Sequence, residues 1–342
     1  MNTNLKYQTL HAHTNFSDGF FNHLDVLDTC KKYDIGVVAF TDHDALINSE
    51  TLKNLKSYKG KVTWISGIEI SSGWPIDLGG GVASGVHIVG LFVDPFNKVL
   101  LDHCKLAQDA RRVRMQKIVN NLHSLGFDIT EGDCLRESGG EAVGRPHIAR
   151  AILKKEKNLI IITELKKKME SAAATNPQTD HLFSEMLKAP EWQHPFYIFL
   201  SPDSYIKGIY VDYQYYSDFD NSVKLIRNAG GIALLAHPFT CMDKMNDNYL
   251  DNVLKENRLD GIETIFGLGP SGLMNKDEIE DFGLRVTKLV SKYDKLEGGG
   301  IDLHKEYELK IFKENLWYKE RTINLLEKVL KIAKINTHWS SL

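Results

Sequence analysis

The feature that most constrains this chain is a series of histidines and carboxylates, each set at the end of a short apolar run. The runs 7–10, 35–41, 62–70, 86–93, 231–236, 261–265 and 299–303 read as buried strands of a parallel sheet. Stretches with helical spacing, such as 24–33, 222–228 and 249–256, lie between many of them. Strand–helix alternation of this kind argues for an α/β fold. His11 follows the first run, Asp42 and His43 the second and His237 the fifth, while Glu69 stands near the end of the third. In α/β barrels the carboxyl edge of the strands is where active sites are built.

The side chains at that edge have the chemistry of metal ligands. His11 and His13 are two apart, so on an extended strand both imidazoles face the same way. Asp302 and His304 repeat the spacing near the other end of the chain. Asp18 follows a turn over 15–19 that can fold its carboxylate back towards the first pair. Glu69 is the only carboxylate in the apolar run 64–70, and burying it unpaired is costly, so a metal-bridging role accounts for it. Asp42 is placed to orient His43 or a neighbouring ligand. With His87 and His237 the candidates are His11, His13, Asp18, His43, Glu69, His87, His237, Asp302 and His304. One ion takes about four to six ligands, so these suggest two or three divalent ions. A mixed imidazole and carboxylate set accommodates zinc, manganese or iron. His23, His103, His123, His181, His194 and His338 stand in polar helical or loop-like contexts and read as surface residues.

The formal net charge is -3, so no global basic field announces nucleic acid, although a local patch stays open. With 42% hydrophobic and 25% charged residues the composition is that of a soluble globular protein. Cys30, Cys104, Cys134 and Cys241 are far apart and form no C-x-x-C pair, which reads as reduced thiols. The first residues show no apolar signal segment and no later run is long enough to span a bilayer, so a cytoplasmic protein without membrane association is expected. Oligomeric state is left open.

Residues 101–217 break the strand–helix rhythm. They read as an inserted, mainly helical cap subdomain, holding Tyr205, Tyr210, Tyr213 and Tyr215, with Tyr216 at its end. Residues 1–100 and 218–342 then form the α/β barrel with a C-terminal helical extension. In that extension Leu309, Phe312, Leu316, Ile323, Leu326 and Leu330 fall on one face of a long helix spanning 306–335.

The motifs, taken in order, resemble those of the PHP (polymerase and histidinol phosphatase) superfamily of metal-dependent phosphoesterases. They are His11-Ala12-His13-Thr14, Ser17-Asp18-Gly19, Thr41-Asp42-His43-Asp44, Gly67-Ile68-Glu69-Ile70, His87-Ile88-Val89-Gly90, Ala236-His237-Pro238, Gly261-Ile262-Glu263 and Gly300-Ile301-Asp302-Leu303-His304. The resemblance implies a distorted seven-stranded β/α barrel with a two- or three-metal cluster and fills all nine ligand positions. Gly144-Arg145-Pro146-His147 is similar to the branch of nucleotidases and RNA 5′-end exonucleases, which implies that Arg145 and His147 lie near a substrate phosphate. Two departures stand out: Ile301 replaces the family's usual serine, and the insertion is enlarged over about 158–205.

The expected activity is hydrolysis of a phosphate monoester by a metal-bound hydroxide. The substrate is expected to be a nucleoside monophosphate or 3′,5′-bisphosphate. Three divalent ions carry six positive charges; Asp18, Glu69 and Asp302 remove three, a hydroxide one more, and the roughly two left over match a phosphate monoester dianion. Arg145 would hold phosphate, His147 would orient substrate or protonate the leaving oxygen, and Asp42 would complete the catalytic set. The alternative is a 5′-to-3′ exonuclease on short RNA or DNA. A histidinol-phosphate phosphatase, or a scaffold that has lost catalysis, accounts for fewer of these features.

Overall fold

The computed structural model describes residues 6–80, 84–139, 142–212, 215–265, 276–335 and 337–342. Contacts divide the chain into two units, one of residues 1–107 with 216–342 and one of residues 108–215.

The first unit is built on seven strands in sequence order: β1 (Tyr7–Thr9), β2 (Ile35–Phe40), β3 (Thr63–Gly73), β4 (Ser84–Leu91), β5 (Ile232–Leu235), β6 (Gly261–Ile265) and β7 (Leu296–Gly299). Helices α1 (His23–Lys32), α2 (Ser49–Ser57), α8 (Phe219–Asn228), α9 (Asp247–Lys255) and α10 (Lys276–Lys292) punctuate them. Residues 35–40 are wholly apolar save one glycine and almost entirely buried, as expected for a strand covered on both faces. Asparagine or aspartate starts most of these helices: the side chains of Asn22, Asn48, Asp218 and Asn246 each accept a backbone N–H of the first turn. In α8, Phe219, Ser222, Val223 and Ile226 recur at helical spacing and are buried, which fixes the face it lays on the sheet.

The sheet is mixed, which corrects the all-parallel expectation. β4 runs antiparallel to both β3 and β5, while the other neighbouring pairs are parallel. The last strand is Leu296–Gly299, earlier than the run 299–303 suggested. β7 and β1 form no ladder. An isolated parallel bridge between Ala12 and Leu303 spans that seam. Three backbone hydrogen bonds reinforce it: Leu10 N–H to Gly299 O at 3.0 Å, His13 N–H to Leu303 O at 2.7 Å and Leu303 N–H to His11 O at 3.3 Å. Gly299 adopts φ of 117°, and a Cβ there would overlap the carbonyl of Ile265, so only glycine fits this turn off the sheet.

The tail is not one helix. It breaks into α11 (Glu306–Glu314), α12 (Leu316–Arg321) and α13 (Leu325–Ile332), because Asn315 caps α12 and Asn324 sits at φ 59° in the left-handed region. Leu309, Phe312 and Leu326 are buried as expected, while Leu316 is 62% exposed and leaves the apolar stripe. Tyr318 of α12 is buried and donates its hydroxyl to the carbonyl of Gly300, fastening the segment that carries Asp302.

The second unit is all helical among its described residues. It holds the later part of α3 (Lys98–Ser124), then α4 (Glu131–Glu137), α5 (Arg145–Leu153), α6 (Glu156–Ala173) and α7 (Pro177–Lys188), followed by the π-helix Phe196–Leu200. Its own core includes Met115, Leu122, Phe127, Ile152, Met169 and Phe199. Tyr213 lies outside the described residues. Among the described residues no helix is long and apolar enough to cross a membrane.

Candidate metal centre

Glu69 is the hub. It belongs to β3, is 1% exposed, and sits where the strands draw close: a Cβ on Gly67 would stand 2.7 Å from the Gly90 carbonyl and 2.9 Å from that of Phe40. Oε2 of Glu69 lies 3.3 Å from Nε2 of His11, 3.2 Å from Nε2 of His13 and 3.0 Å from Nδ1 of His43. Oε1 lies 2.9 Å from Nδ1 of His87 and 3.0 Å from Nε2 of His237. Five imidazoles therefore converge on one carboxylate.

The strand alternation that brings them there is visible at the seam. Ala12 and Leu303 are bridged and fully buried on the core side. Their neighbours His11 and His13, and Asp302 and His304, consequently project together to the other side. Oδ1 of Asp302 is 3.4 Å from Nε2 of His11 and 3.2 Å from Nε2 of His13. Asp18 closes the group, its Oδ1 3.3 Å from Nε2 of His304 and 3.8 Å from Nδ1 of His13, and its Oδ2 3.9 Å from Nε2 of His43. The other histidine on an extended edge, His43, forms an isolated parallel bridge with Glu69 itself. His237 at φ 26° and Asp302 at φ 54° are held in backbone conformations uncommon for residues with a side chain, as happens where a site over-determines its chain.

Two sets of contacts aim the rings. Glu263, 1% exposed in β6, lies 2.8 Å from Nδ1 of His11 through Oε1 and accepts the backbone N–H of His237 at 2.7 Å through Oε2. With Nδ1–H donated to that carboxylate, the network assigns the lone pair of His11 to Nε2, which faces the cluster. Asp42 accepts the amide of Thr14 at 2.7 Å, its hydroxyl at 2.8 Å and the hydroxyl of Ser17 at 2.6 Å. Ser17 Oγ in turn stands 3.4 Å from Nδ1 of His13. Oδ2 of Asp42 also lies 3.8 Å from Nε2 of His23, and the Asp42 backbone carbonyl accepts the Glu69 N–H at 3.1 Å. Asp42 thus holds the turn that carries Asp18 and leans on His13 through a serine. Glu263 was visible in the sequence only as part of a motif, since a lone glutamate in a strand does not announce which ring it will meet.

The electrostatics are those of a site built for cations. Burial disfavours charge on every member, yet Asp18 and Glu69 are held well below the ordinary carboxylate range by the surrounding imidazoles, His304 foremost for Asp18 and His43 for Glu69. Burial likewise opposes charge on His304, but Asp18 and Asp302 raise it to about 10. For His43 burial dominates and lowers it to about 3. In this arrangement protons held by some imidazoles neutralise the carboxylates, and a divalent ion can take their place.

The residues fit metal ions. Three groups could each hold an ion: His13, Asp18, His43 and His304; His11, His13 and Glu69; and His43, Glu69 and His87. They share His13, His43 and Glu69, as a polynuclear cluster requires. Ligands at about 2.1 Å from a common ion stand roughly 3.0–3.4 Å apart, which matches the 2.9–3.4 Å separations around Glu69 and Asp302. Among the described residues, Oε2 of Glu69 and Nδ1 of His43 are buried and, although 3.0 Å apart, meet no partner in hydrogen-bond geometry, which suits coordination.

Three histidines read as surface residues are buried. His23 is 4% exposed beneath Phe40 and Phe16, His103 is 4% exposed beside Asp44, and His194 is 7% exposed with Nε2 3.1 Å from the Ala189 carbonyl. Their polar sequence neighbours gave no sign of this, because helix orientation decides which face turns inward. In the second unit Arg145 and His147 open α5. Arg145 donates to the Leu200 carbonyl at 3.2 Å, and its guanidinium lies 5.6 Å from the ring centre of Tyr210 and 5.7 Å from that of Phe196. His147 is fully buried and its Nδ1 accepts the Gly144 N–H at 2.7 Å. A ring so placed caps its helix.

The α/β sheet thus gathers six histidines and three carboxylates into one cluster, within which three groups could each hold an ion. No protein-family model matches the chain. It is 24% identical over 230 residues to the 5′-3′ exoribonuclease Rnm of Salmonella typhimurium, covering 67% of this chain and 64% of that one. It is 25% identical over 230 residues to the 3′,5′-nucleoside bisphosphate phosphatase of Chromobacterium violaceum, covering 67% and 66%. The match thus spans just under two thirds of these relatives' own length. Among solved structures, one from Bifidobacterium adolescentis described as a metal-dependent phosphoesterase superposes with a TM-score of 0.62 at 21% identity over 95% of this chain and 94% of that one. An amidohydrolase from Chromobacterium violaceum, solved with sulfate bound and without metal, gives 0.60 at 22% identity over 87% of each. The likeness to these solved structures shows a shared fold, and the relatives matched by sequence are named as an exoribonuclease and a bisphosphate phosphatase.

Proposed function

We propose that the chain is a hydrolase of phosphoric esters that removes a phosphate from a nucleotide, a nucleoside monophosphate or a 3′,5′-bisphosphate. The observation that carries this reading is the convergence of five imidazoles on Glu69, completed by Asp18, Asp302 and His304. His11, His13, Asp18, His43, Glu69, His87, His237, Asp302 and His304 are the proposed ligands of two or three ions of zinc, manganese or iron. Such ions, when bound, neutralise phosphoryl oxygens and supply a water nucleophile at neutral pH. The chain's own residues do the rest. Glu263 holds the Nδ1–H of His11 and so turns its Nε2 towards an ion, Asp42 and Ser17 keep His13 aligned, and Arg145 offers a planar guanidinium to phosphate. His147 shapes the loop that presents Arg145.

A second reading is favoured by the relatives named 5′-3′ exoribonucleases in Salmonella typhimurium and Haemophilus influenzae. On that reading the same centre cleaves short RNA from its 5′ end. Phosphate release from mononucleotides and bisphosphates, compared with shortening of 5′-labelled oligonucleotides by metal-loaded protein, separates the two. Inactivity on all of these substrates, with metal bound, would overturn both. All four cysteines are buried thiols, which supports a reducing compartment, the cytoplasm.

A further inference from the structure

Within the helical unit a cavity of about 430 Å³ opens among Pro146, Trp192, Phe196, Tyr197 and Asp203. That volume falls within the roughly 300–1,000 Å³ range of small-molecule sites. Its rings lie at the margin of the unit's core, against which Phe196 and Tyr197 pack. Phe127 and Phe199 fill the core at 3% and 0% exposure, whereas Trp192, Phe196 and Tyr197 are only half-buried and turn towards the opening. Trp192 and Phe196 meet edge to face with centroids 6.4 Å apart. Phe196 and Tyr197 begin the π-helix Phe196–Leu200, a conformation rare in proteins and frequent at functional sites. The wall is tied down from outside, since Tyr205 N–H reaches the Tyr197 carbonyl at 2.9 Å and Ile206 N–H the Ile198 carbonyl at 2.7 Å. Polar groups complete the lining: Gln193, Ser201 and the exposed carboxylate of Asp203.

We infer that this cavity binds a nucleobase. Flat aromatic walls select a flat π-system, and a carboxylate with an amide selects one whose edge carries N–H donors, which purines and amino-pyrimidines have and an aliphatic chain lacks. The placement of Arg145 supports the choice. Its guanidinium lies 5.7 Å from the centre of the Phe196 ring, and the next residue, Pro146, lines the cavity. A nucleotide phosphate on Arg145 therefore has a stacking wall beside it for the attached base. The inference rests on the nucleotide reading proposed above and adds to it the part of the chain that recognises the base.

Calorimetric titration of the full chain with adenosine and guanosine, which carry no phosphate, tests the cavity without hydrolysis. Trp192→Leu is expected to weaken nucleoside binding about tenfold or more, Trp192→Phe to restore most of it, and Asp203→Asn to change the preference between the two bases. Hydrolysis of ribose 5-phosphate, which has no base, is expected to be equal in wild type and Trp192→Leu. Absence of nucleoside binding to the wild type, or undiminished binding by a folded Trp192→Leu variant, overturns the inference. Loss of phosphate-ester hydrolysis in the wild type overturns the functional reading instead.

Discussion

The carboxylate of Glu263 lies 2.8 Å from Nδ1 of His11, although 252 residues separate them. The same carboxylate accepts the His237 amide, so one buried group sets a ring just after the first strand and the strained backbone after the fifth. Glu263→Gln keeps the size but places an amide N–H against one of these two donors. Metal affinity is expected to fall about 10- to 100-fold, measured by chelator competition, with the circular dichroism spectrum unchanged. Wild-type affinity in the variant would refute the positioning role.

Glu69→Gln removes the charge at the hub and leaves five imidazoles around a neutral amide. Bound metal per chain, measured by elemental analysis, should drop, and phosphate release should fall by about a thousandfold or more, since both nucleophile and charge neutralisation depend on the ions. His237→Ala should act in the same direction. Full activity with a full complement of metal in either variant contradicts the assigned cluster.

Removal of metal should destabilise the chain. Ions that bind only the folded state contribute RT ln(1 + [L]/Kd), about 2.7 kcal/mol at a hundredfold excess over Kd. Thermal melts of chelator-treated protein are therefore expected to rise with added zinc, manganese or iron in parallel with recovered phosphate release. A metal that restores activity without moving the melt would argue against binding at the buried cluster.

Tyr318 donates to the Gly300 carbonyl from a fully enclosed position. Tyr318→Phe leaves that carbonyl without its partner, at a cost of about 1–3 kcal/mol. Because Gly300 leads directly into Asp302, metal affinity should weaken as well. Urea denaturation and chelator competition on the same variant check both effects.

The cap of α4 gives a pH prediction outside the cluster. Hydrogen bonds from Lys155 first, and then from Thr130, lower Asp133 to about 2. A carboxylate lowered on folding contributes stability that is complete above its unfolded value of about 3.9 and fades as pH falls through its folded value. Asp133→Asn should therefore speed amide exchange across 131–137 at pH 5–7, by an amount corresponding to about 1 kcal/mol. The difference should narrow towards pH 2. A pH-independent difference would exclude ionisation of Asp133 as its source.

Much of the site was legible because ligands follow apolar runs, and strand alternation alone put His11 beside His13 and Asp302 beside His304. What stayed hidden has physical reasons. A continuous apolar run such as that of β4 carries no mark of direction, so its antiparallel course could not be read. The strand 296–299 contains two glycines and one glutamate, whereas Ile301 and Leu303 beyond it look more strand-like; they are buried in a segment that Asp302, at φ 54°, turns out of strand geometry and that joins residues 9–13 without a ladder. Tail and insertion depended on tertiary context: Asn324 ended a helix that periodicity would have continued, and His147 turned inward to cap its own helix.

The seam between the first and last strands has a consequence for folding. Its single bridge joins Ala12 to Leu303, and candidate ligands flank that bridge on both segments. Coordination there would close a loop that takes in nearly the whole polypeptide, and closure entropy rises only slowly with length, by about 0.6 kcal/mol per doubling. Metal uptake at this point would act as a late clasp, converting two chain ends that meet weakly into a permanent joint. The cation would then be a determinant of chain topology as well as of reactivity.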